Sequence, residues 1–129
     1  MNVHLLVNGA SVVSLSPHGF KFSDGSESLS QDQNLVKTFT LKRELREVGQ
    51  IRGMVLNEVR MVLSDEQLTL LAEIAKQVDL VLVPFPLLTA LREQSVRDQF
   101  PNVVAFNATT ETQRAAPQDK VVDVNNWSY

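Results

Sequence analysis

The residue types that most often carry catalysis are scarce in this sequence. It contains no cysteine, which excludes a disulfide scaffold, a thiol nucleophile and a Cys-based zinc site. Its two histidines, His4 and His18, show neither H-x-H nor H-x-x-x-H spacing, so they do not predict a metal site. We interpret His4, inside an apolar strand, as structural, and His18 as a turn residue that remains open to ligand contact.

Motifs for nucleophilic catalysis and phosphate binding are also missing. No G-x-S-x-G stretch is present, and Gly49-x-x-x-Gly53 matches neither a P-loop nor a dinucleotide-binding loop, so we predict a simple turn there. The acidic pair Asp65 and Glu66 falls in the first turn of a predicted helix, where the helix dipole favours it. We therefore expect a protein without a cofactor that holds a partner rather than transforms it.

The polar segment from Asn107 to Asp119 is the best candidate for a binding site. It follows a buried-type strand, the position at which α/β folds commonly bind ligands, and it carries Arg114, whose planar guanidinium suits phosphate. We predict that Phe106 or Phe100 stacks on a base and that Asn107 reads its edge. The alternative is an exposed polar loop without a ligand.

Hydrophobic patterning predicts a mixed α/β domain of α+β type. We expect residues 1–129 to form one domain in which a largely antiparallel sheet is packed by two main helices, with strands 80–83 and 103–106 central. Residues 27–34 and 107–119 are predicted as mobile loops. The expected strands are 3–7, 11–15, 36–41, 54–62, 80–83, 103–106 and 121–124. The expected helices start at the capping box Ser64-x-x-Gln67 and at Pro86.

Charge and hydropathy limit the partners. The formal net charge is −3, which argues against duplex nucleic acid because phosphate neutralisation needs a basic face. No apolar stretch approaches the roughly 20 residues that span a bilayer, so we expect no membrane contact. The amino end has no basic leader, and we predict a cytoplasmic protein.

Three stretches resemble one family. Ser14-Leu15-Ser16-Pro17-His18 is similar to that family's Asn-Leu-Thr-Pro-His-like turn, and residues 48–55 resemble its Val-Gly-Glu-Ile-x-Gly-Ile-Pro stretch. Residues 79–83, followed by 87–91, look like its strand and helix. The family is that of the phage Thoeris anti-defence sponges, which are not enzymes.

The resemblance implies a phage-encoded protein in the host cytoplasm that sequesters a nucleotide immune signal. The ligand would be cyclic ADP-ribose or a cyclic oligonucleotide, and the protein a dimer or higher homo-oligomer. By position, the family's late-loop Arg corresponds to Arg114, and its early Arg corresponds to Lys37; both would contact phosphate. The family's polar residue ahead of the loop corresponds to Asn107. Thr110 stands where the family has Asp, and Arg97-Asp98 matches its helix-terminal pair.

Two other functions remain open. The protein is alternatively an interaction module that binds or inhibits a host protein through strand edges and the aromatic residues Trp127 and Tyr129, without a small ligand. A third possibility is an enzyme that relies on Glu or Asp alone. If the nucleotide site is as predicted, Arg114→Ala abolishes binding without unfolding the protein.

Overall fold

The structure is a computed structural model that describes residues 1–129, and it confirms one mixed α/β domain. Short 3-10 helices lie at Arg97–Gln99, Thr110–Thr112 and Pro117–Asp119. The main elements in chain order are β1 (His4–Leu5), β2 (Ser11–Ser14), β3 (Lys21–Phe22), α1 (Gln33–Thr38), β4 (Lys42–Ile51), β5 (Met54–Val62), α2 (Asp65–Ala75), β6 (Leu80–Leu82), α3 (Phe85–Glu93), β7 (Val103–Ala108) and β8 (Val121–Ser128).

Six strands form one sheet in the order β1-β2-β6-β7-β8-β3, and β4 pairs only with β5. The central strands β2, β6 and β7 run parallel, so their carboxyl ends meet at one edge. β1–β2, β7–β8 and β4–β5 are antiparallel. The central position of β6 and β7 and the β1–β2 hairpin confirm the predictions.

Apolar side chains cover both faces of the six-stranded sheet. On one face Val13 and Val81 pack with Leu71 of α2 and Leu88 of α3 in the larger core cluster. On the other face the smaller cluster contains Val12, Leu82, Phe22 and Val122. Neighbouring residues such as Val12 and Val13 point to opposite faces because side chains alternate along a strand. The unbroken apolar runs in β6 and at the start of β7 follow from this two-sided burial.

The predicted strand 36–41 is wrong, because the chain forms helix α1 there. The Asp32 side chain accepts the Asn34 N–H at 2.9 Å and caps the helix, so the helix begins inside the predicted 27–34 loop. Leu35 and Phe39, four residues apart, both pack on the larger cluster. The capping signal and this spacing outweigh the β-branched residues that suggested a strand. The capping box at Ser64 and Gln67 is present as predicted.

Two other boundaries need correction. The predicted turn 49–53 is smaller, because β4 continues to Ile51 and only Arg52 and Gly53, both with positive φ, form the turn. The last strand, predicted as an edge strand at 121–124, instead lies between β7 and β3 and continues to Ser128 as β8. Trp127 pairs opposite Phe106, and this contact extends the strand past the polar Asn125 and Asn126.

Candidate functional site

A cleft of about 930 Å³ opens at the carboxyl ends of the parallel strands. Ser16 follows β2, Val83 and Pro84 follow β6, and Phe106 belongs to β7. In α/β sheets this edge is the usual ligand position, because the loops that leave parallel strands surround a crevice. The remaining lining residues come from segments 17–21, 27–30 and 117–120.

The wall formed by residues 16–20 is held in place by the segment opposite. The Phe20 N–H donates to Ser28 Oγ at 2.8 Å, and the Ser28 N–H donates to the Phe20 carbonyl at 2.9 Å. Gly19 lies so close to this segment that an added Cβ would stand 2.4 Å from the Ser28 carbonyl oxygen. Only glycine permits this approach, so Gly19 sets the position of the wall.

Gly19→Ala is expected to displace this wall and to destabilise the protein by about 1–3 kcal/mol, because the backbone must separate to admit the methyl group. Urea denaturation measures the loss. Gly49→Ala is the matched control, since no atom lies within 4 Å of its added Cβ. Equal stability of the two variants would show that the close approach at Gly19 is unimportant.

Two phenylalanines line one side of the cleft. The rings of Phe20 and Phe106 lie 5.5 Å apart, tilted by 55°, and both side chains are half-buried. Each ring therefore packs on the smaller core cluster while part of it remains accessible from the cleft. Such an apolar surface suits a nucleobase.

Two lysines approach the cleft from adjacent strands. Lys21 pairs in register with Val121, so its backbone lies next to that of Lys120, which directly precedes β8, and both residues line the cleft. Neither forms an ion pair, because the one salt bridge in the structure joins Arg46 and Glu58. Lys120 Nζ donates to the Gln113 carbonyl, and this bond ties the 113–120 loop to the strand. Two positive charges are thus available against one acidic lining residue, Glu27.

The amino end of α3 adds to the positive potential. Pro84 is both the N-cap of α3 and a lining residue of the cleft, and no side chain caps this helix. Pro84 and Pro86 carry no N–H, and the Leu87 N–H donates to the Pro84 carbonyl at 3.0 Å, so this end contributes chiefly through the helix dipole, which favours an anion. The cleft thus combines an aromatic wall with several sources of positive charge, a combination that suits a nucleotide phosphate.

Of the residues predicted from sequence, only Phe106 lines this cleft. Phe100 is 3% exposed within the larger core cluster, so its ring has no free face for a base. The side chain of Asn107 is occupied by β8, because its amide donates to the Asn126 carbonyl and its oxygen accepts from Ser128 Oγ. Lys37 on α1 and Arg114 are exposed and lie outside the cleft.

The sequence reading missed Lys21, Lys120 and Phe20. Residues 20–22 alternate between apolar and polar, but no local signal shows that this short segment pairs with a strand a hundred residues later. His18, left open to ligand contact, does line the cleft. The 107–119 segment contains the end of β7 and two short 3-10 helices, and its last residues rather than Arg114 reach the cleft.

His4 and the aromatic end of the chain make contacts within the domain. The His4 ring stacks on Phe22 at 4.8 Å, and its Nε2 lies 2.9 Å from Ser26 Oγ, which supports its structural interpretation. Trp127 packs in the smaller cluster and donates Nε1–H to the Val124 carbonyl. Arg97 lies 3.6 Å from the centre of the Tyr129 ring. These aromatic rings therefore pack on their own domain.

Asp24 joins the β1–β2 turn to the turn after β3. Its carboxylate accepts the N–H groups of Val7 and Ser26, each at 2.8 Å, and the Ser26 hydroxyl. Burial acts to raise the pKa of Asp24, but these hydrogen bonds to the charged form outweigh it and lower the pKa.

Because the folded pKa lies below the unfolded value, Asp24 contributes stability that is present above about pH 4 and is lost as pH falls through the folded pKa. Asp24→Asn is expected to lower the melting temperature at pH 7 and to flatten the acid limb of the melting-temperature profile. Asp98→Asn, at an exposed site, is the control. Parallel acid limbs for wild type and Asp24→Asn would contradict this assignment.

No three His, Cys, Asp or Glu side chains cluster closely enough to hold a metal ion. None of the helices combines the length and hydropathy needed to cross a bilayer. Comparisons with protein-family models, curated proteins and solved structures find no match to this chain. The cleft is therefore the feature from which a function can be inferred.

Proposed function

We propose that this protein captures a small anionic nucleotide in the cleft and releases it chemically unchanged. The observation that carries the proposal is the pair of lysines, Lys21 and Lys120, beside an aromatic wall at the carboxyl ends of parallel strands. The lysines would meet phosphate oxygens, and the accessible part of Phe20 and Phe106 would contact a base.

The size of the cleft supports a nucleotide rather than free phosphate. At about 930 Å³ it falls within the range typical of small-molecule and cofactor sites, which is roughly 300–1,000 Å³. A cyclic ADP-ribose or cyclic oligonucleotide signal, as the family resemblance implies, carries both the phosphates and the bases that such a cleft would select. Sequestering such a signal would counter a host immune response in the cytoplasm.

Capture rather than turnover is favoured by the arrangement of the ionisable lining residues. His18 forms no hydrogen bond through its ring, so no carboxylate orients it as a general base. Glu27 is exposed and pairs with Lys21 only through the backbone bridge. An acid–base pair would need mutual orientation that neither residue has here.

Calorimetry against a panel of cyclic ADP-ribose isomers and cyclic oligonucleotides tests this function. After binding, the protein is denatured by heat and the released ligand is identified by chromatography. Saturable binding with recovery of intact ligand supports capture. Recovery of a degraded ligand means an enzyme, and absence of binding to the whole panel favours the interaction module; either result overturns the proposal.

We also propose that the chain associates with copies of itself. The structural support for this association is the β4–β5 hairpin, whose two strands pair with no other strand and leave most of their side chains in solvent. A two-stranded hairpin is marginally stable on its own, because three or more strands or a packed face are normally needed.

A further inference from the structure

Exposed apolar side chains are concentrated on the β4–β5 hairpin. Eight of the fifteen exposed large hydrophobic residues of the chain lie between residues 45 and 61. They are Leu45, Val48, Ile51, Met54, Val55, Leu56, Val59 and Met61. They lie on both faces of the hairpin, since Leu45 opposes Val59 on one face and Ile51 opposes Met54 on the other. Exposed apolar surface concentrated in this way marks an interaction site, because leaving it in water is unfavourable.

Both outer edges of the hairpin lack a third strand, and they differ only near the end of β5. The carboxyl end of β5 is fixed to the rest of the domain. The Gln94 side chain accepts a hydrogen bond from the Leu63 N–H and donates one to the Leu63 carbonyl, each at 2.8 Å, and α3 packs against β5. The only strand that pairs with β4 is β5, which leaves the other edge of β4 open. An open edge presents unpaired N–H and C=O groups that accept a further strand.

The charges along β4 select a second copy of β4 as that strand. In antiparallel self-pairing the two-fold axis passes through one residue, and side chains that oppose each other share a face. If the axis passes through Leu45, Arg43 opposes Glu47 of the second copy and Glu44 opposes its Arg46. Axes through residues 43, 44, 46 or 47 each place identical charges opposite each other. An axis through Val48 opposes no identical charges, but it falls on the bulge between Glu47 and Gly49, where the extra residue disrupts the regular ladder. The register about Leu45 is therefore the one near the middle of the strand that matches its charges over regular backbone.

This register also continues the pattern already present in the hairpin. Within one copy Glu44 lies opposite Arg60 and Leu45 lies opposite Val59. Self-pairing at Leu45 therefore produces a row of alternating charge across four strands. The row contains Arg60 and Glu44 of one copy, followed by Arg46 and Glu58 of the other copy. On the other face it produces an apolar row of two valines and two leucines. Both rows are complete only when the second copy is present.

We propose that the chain forms a two-fold dimer in which the β4 strands pair antiparallel about Leu45 to give a four-stranded sheet. The inference rests on the self-association included in the proposed function and specifies its surface. It does not depend on the ligand, because the dimer contact involves the hairpin and the cleft lies at the edge of the six-stranded sheet.

Single cysteines test the register, because the natural chain has none. Opposed residues of antiparallel strands have Cα atoms about 4.5–5.5 Å apart, within the range for a disulfide. Leu45→Cys is therefore expected to form a covalent dimer on mild oxidation with diamide. Val48→Cys is the matched control: the two side chains are 54% and 56% exposed, but the Val48 positions would lie about 20 Å apart. Equal cross-linking of both variants, or none by either, overturns the register.

A charge swap tests the contact without changing its shape. Arg43→Glu and Glu47→Arg each place like charges across the axis, so sedimentation equilibrium should show at least a tenfold weaker dimer for each. The double variant should recover dimerisation, and a mixture of the two single variants should form a heterodimer. Within one hairpin these residues oppose Met61 and Asn57, so no internal ion pair is lost.

A wild-type protein that stays monomeric at high micromolar concentration, or single variants that dimerise like wild type, would overturn the inference. Calorimetry on the same samples separates the two proposals. A monomer that still binds nucleotide would leave the function of the cleft intact, whereas a dimer that binds none would leave the hairpin contact intact.

Discussion

Replacing both Lys21 and Lys120 with alanine is expected to weaken nucleotide binding by about a hundredfold to a thousandfold. A hydrogen bond to a charged group contributes about 1.5–3 kcal/mol, and each factor of ten in the dissociation constant corresponds to about 1.4 kcal/mol. Both lysines line the cleft and lack ion-pair partners, so their charge is available to a phosphate. Isothermal calorimetry of wild type and variant with the tightest ligand of the panel measures the effect.

The control uses Lys37 and Arg114, the two cations that were predicted from the sequence to contact phosphate. Lys37→Ala combined with Arg114→Ala removes the same amount of charge from exposed sites outside the cleft. We expect less than a threefold change in affinity. A large loss of nucleotide affinity in this control, with little loss in the Lys21 and Lys120 variant, would place the binding site at the polar loop around Arg114. Melting temperatures of both variants exclude unfolding as the cause.

Arg97→Ala is expected to destabilise the protein by about 2–4 kcal/mol, the largest effect on stability from a single polar side chain. Arg97 is 8% exposed. Its guanidinium donates to the carbonyls of Phe100, at 2.6 Å, and Val103, and it stacks on the Tyr129 ring. Burial lowers the pKa of Arg97. Removal leaves the Val103 carbonyl without a donor, whereas the Phe100 carbonyl keeps the Val103 N–H at 3.2 Å. An unsatisfied buried polar group costs about 1–3 kcal/mol, and the stacking on Tyr129 is lost in addition.

Arg97→Lys should recover little of this loss, because an ammonium group cannot bridge two carbonyls in the planar fork geometry or stack as a guanidinium does. Urea denaturation compares these variants with Arg114→Ala, an exposed control expected to change stability by less than about 0.5 kcal/mol. A similarly small change for Arg97→Ala would show that these contacts are dispensable.

Local signals predicted much of the fold. The capping box at Ser64, the apolar runs of β6 and β7 and the proline-initiated α3 all depend on residues close together in the chain. The strand expected at 36–41 is a helix because the Asp32 cap and the burial of Phe39 override weak β-propensity. The extent of β8 depends on the distant partner Phe106, which no local pattern specifies.

The site was harder to predict for the same reason. Sequence reading favoured the region after a buried strand and selected Phe106, which lines the cleft. It selected Phe100 for its aromatic ring, but the fold uses that ring in the core. Lys21 and Lys120 come together only through the parallel pairing of β3 with β8, a contact between residues about a hundred positions apart.

The β4–β5 hairpin, rather than the aromatic residues near the end of the chain, provides the surface for self-association. Aromatic residues near the end of the chain suggested a docking surface, yet Trp127 packs on its own core and Tyr129 on Arg97. The apolar and alternating charged residues of β4 and β5 provide a surface that is both exposed and self-complementary. The sequence predicted a strand at 54–62 but none at 42–48, so β4 and the exposure of both faces of the hairpin are seen only in the structure.

Mapping ligand contacts by NMR tests the central claim most directly. A uniformly 15N-labelled protein is titrated with cyclic ADP-ribose and with cyclic oligonucleotides, and amide shifts are followed residue by residue. The cleft account predicts that the largest shifts fall on Gly19, Lys21, Val83, Phe106 and Lys120. Shifts confined to Lys37 and the residues around Arg114, or no saturable shift with any nucleotide, would contradict it.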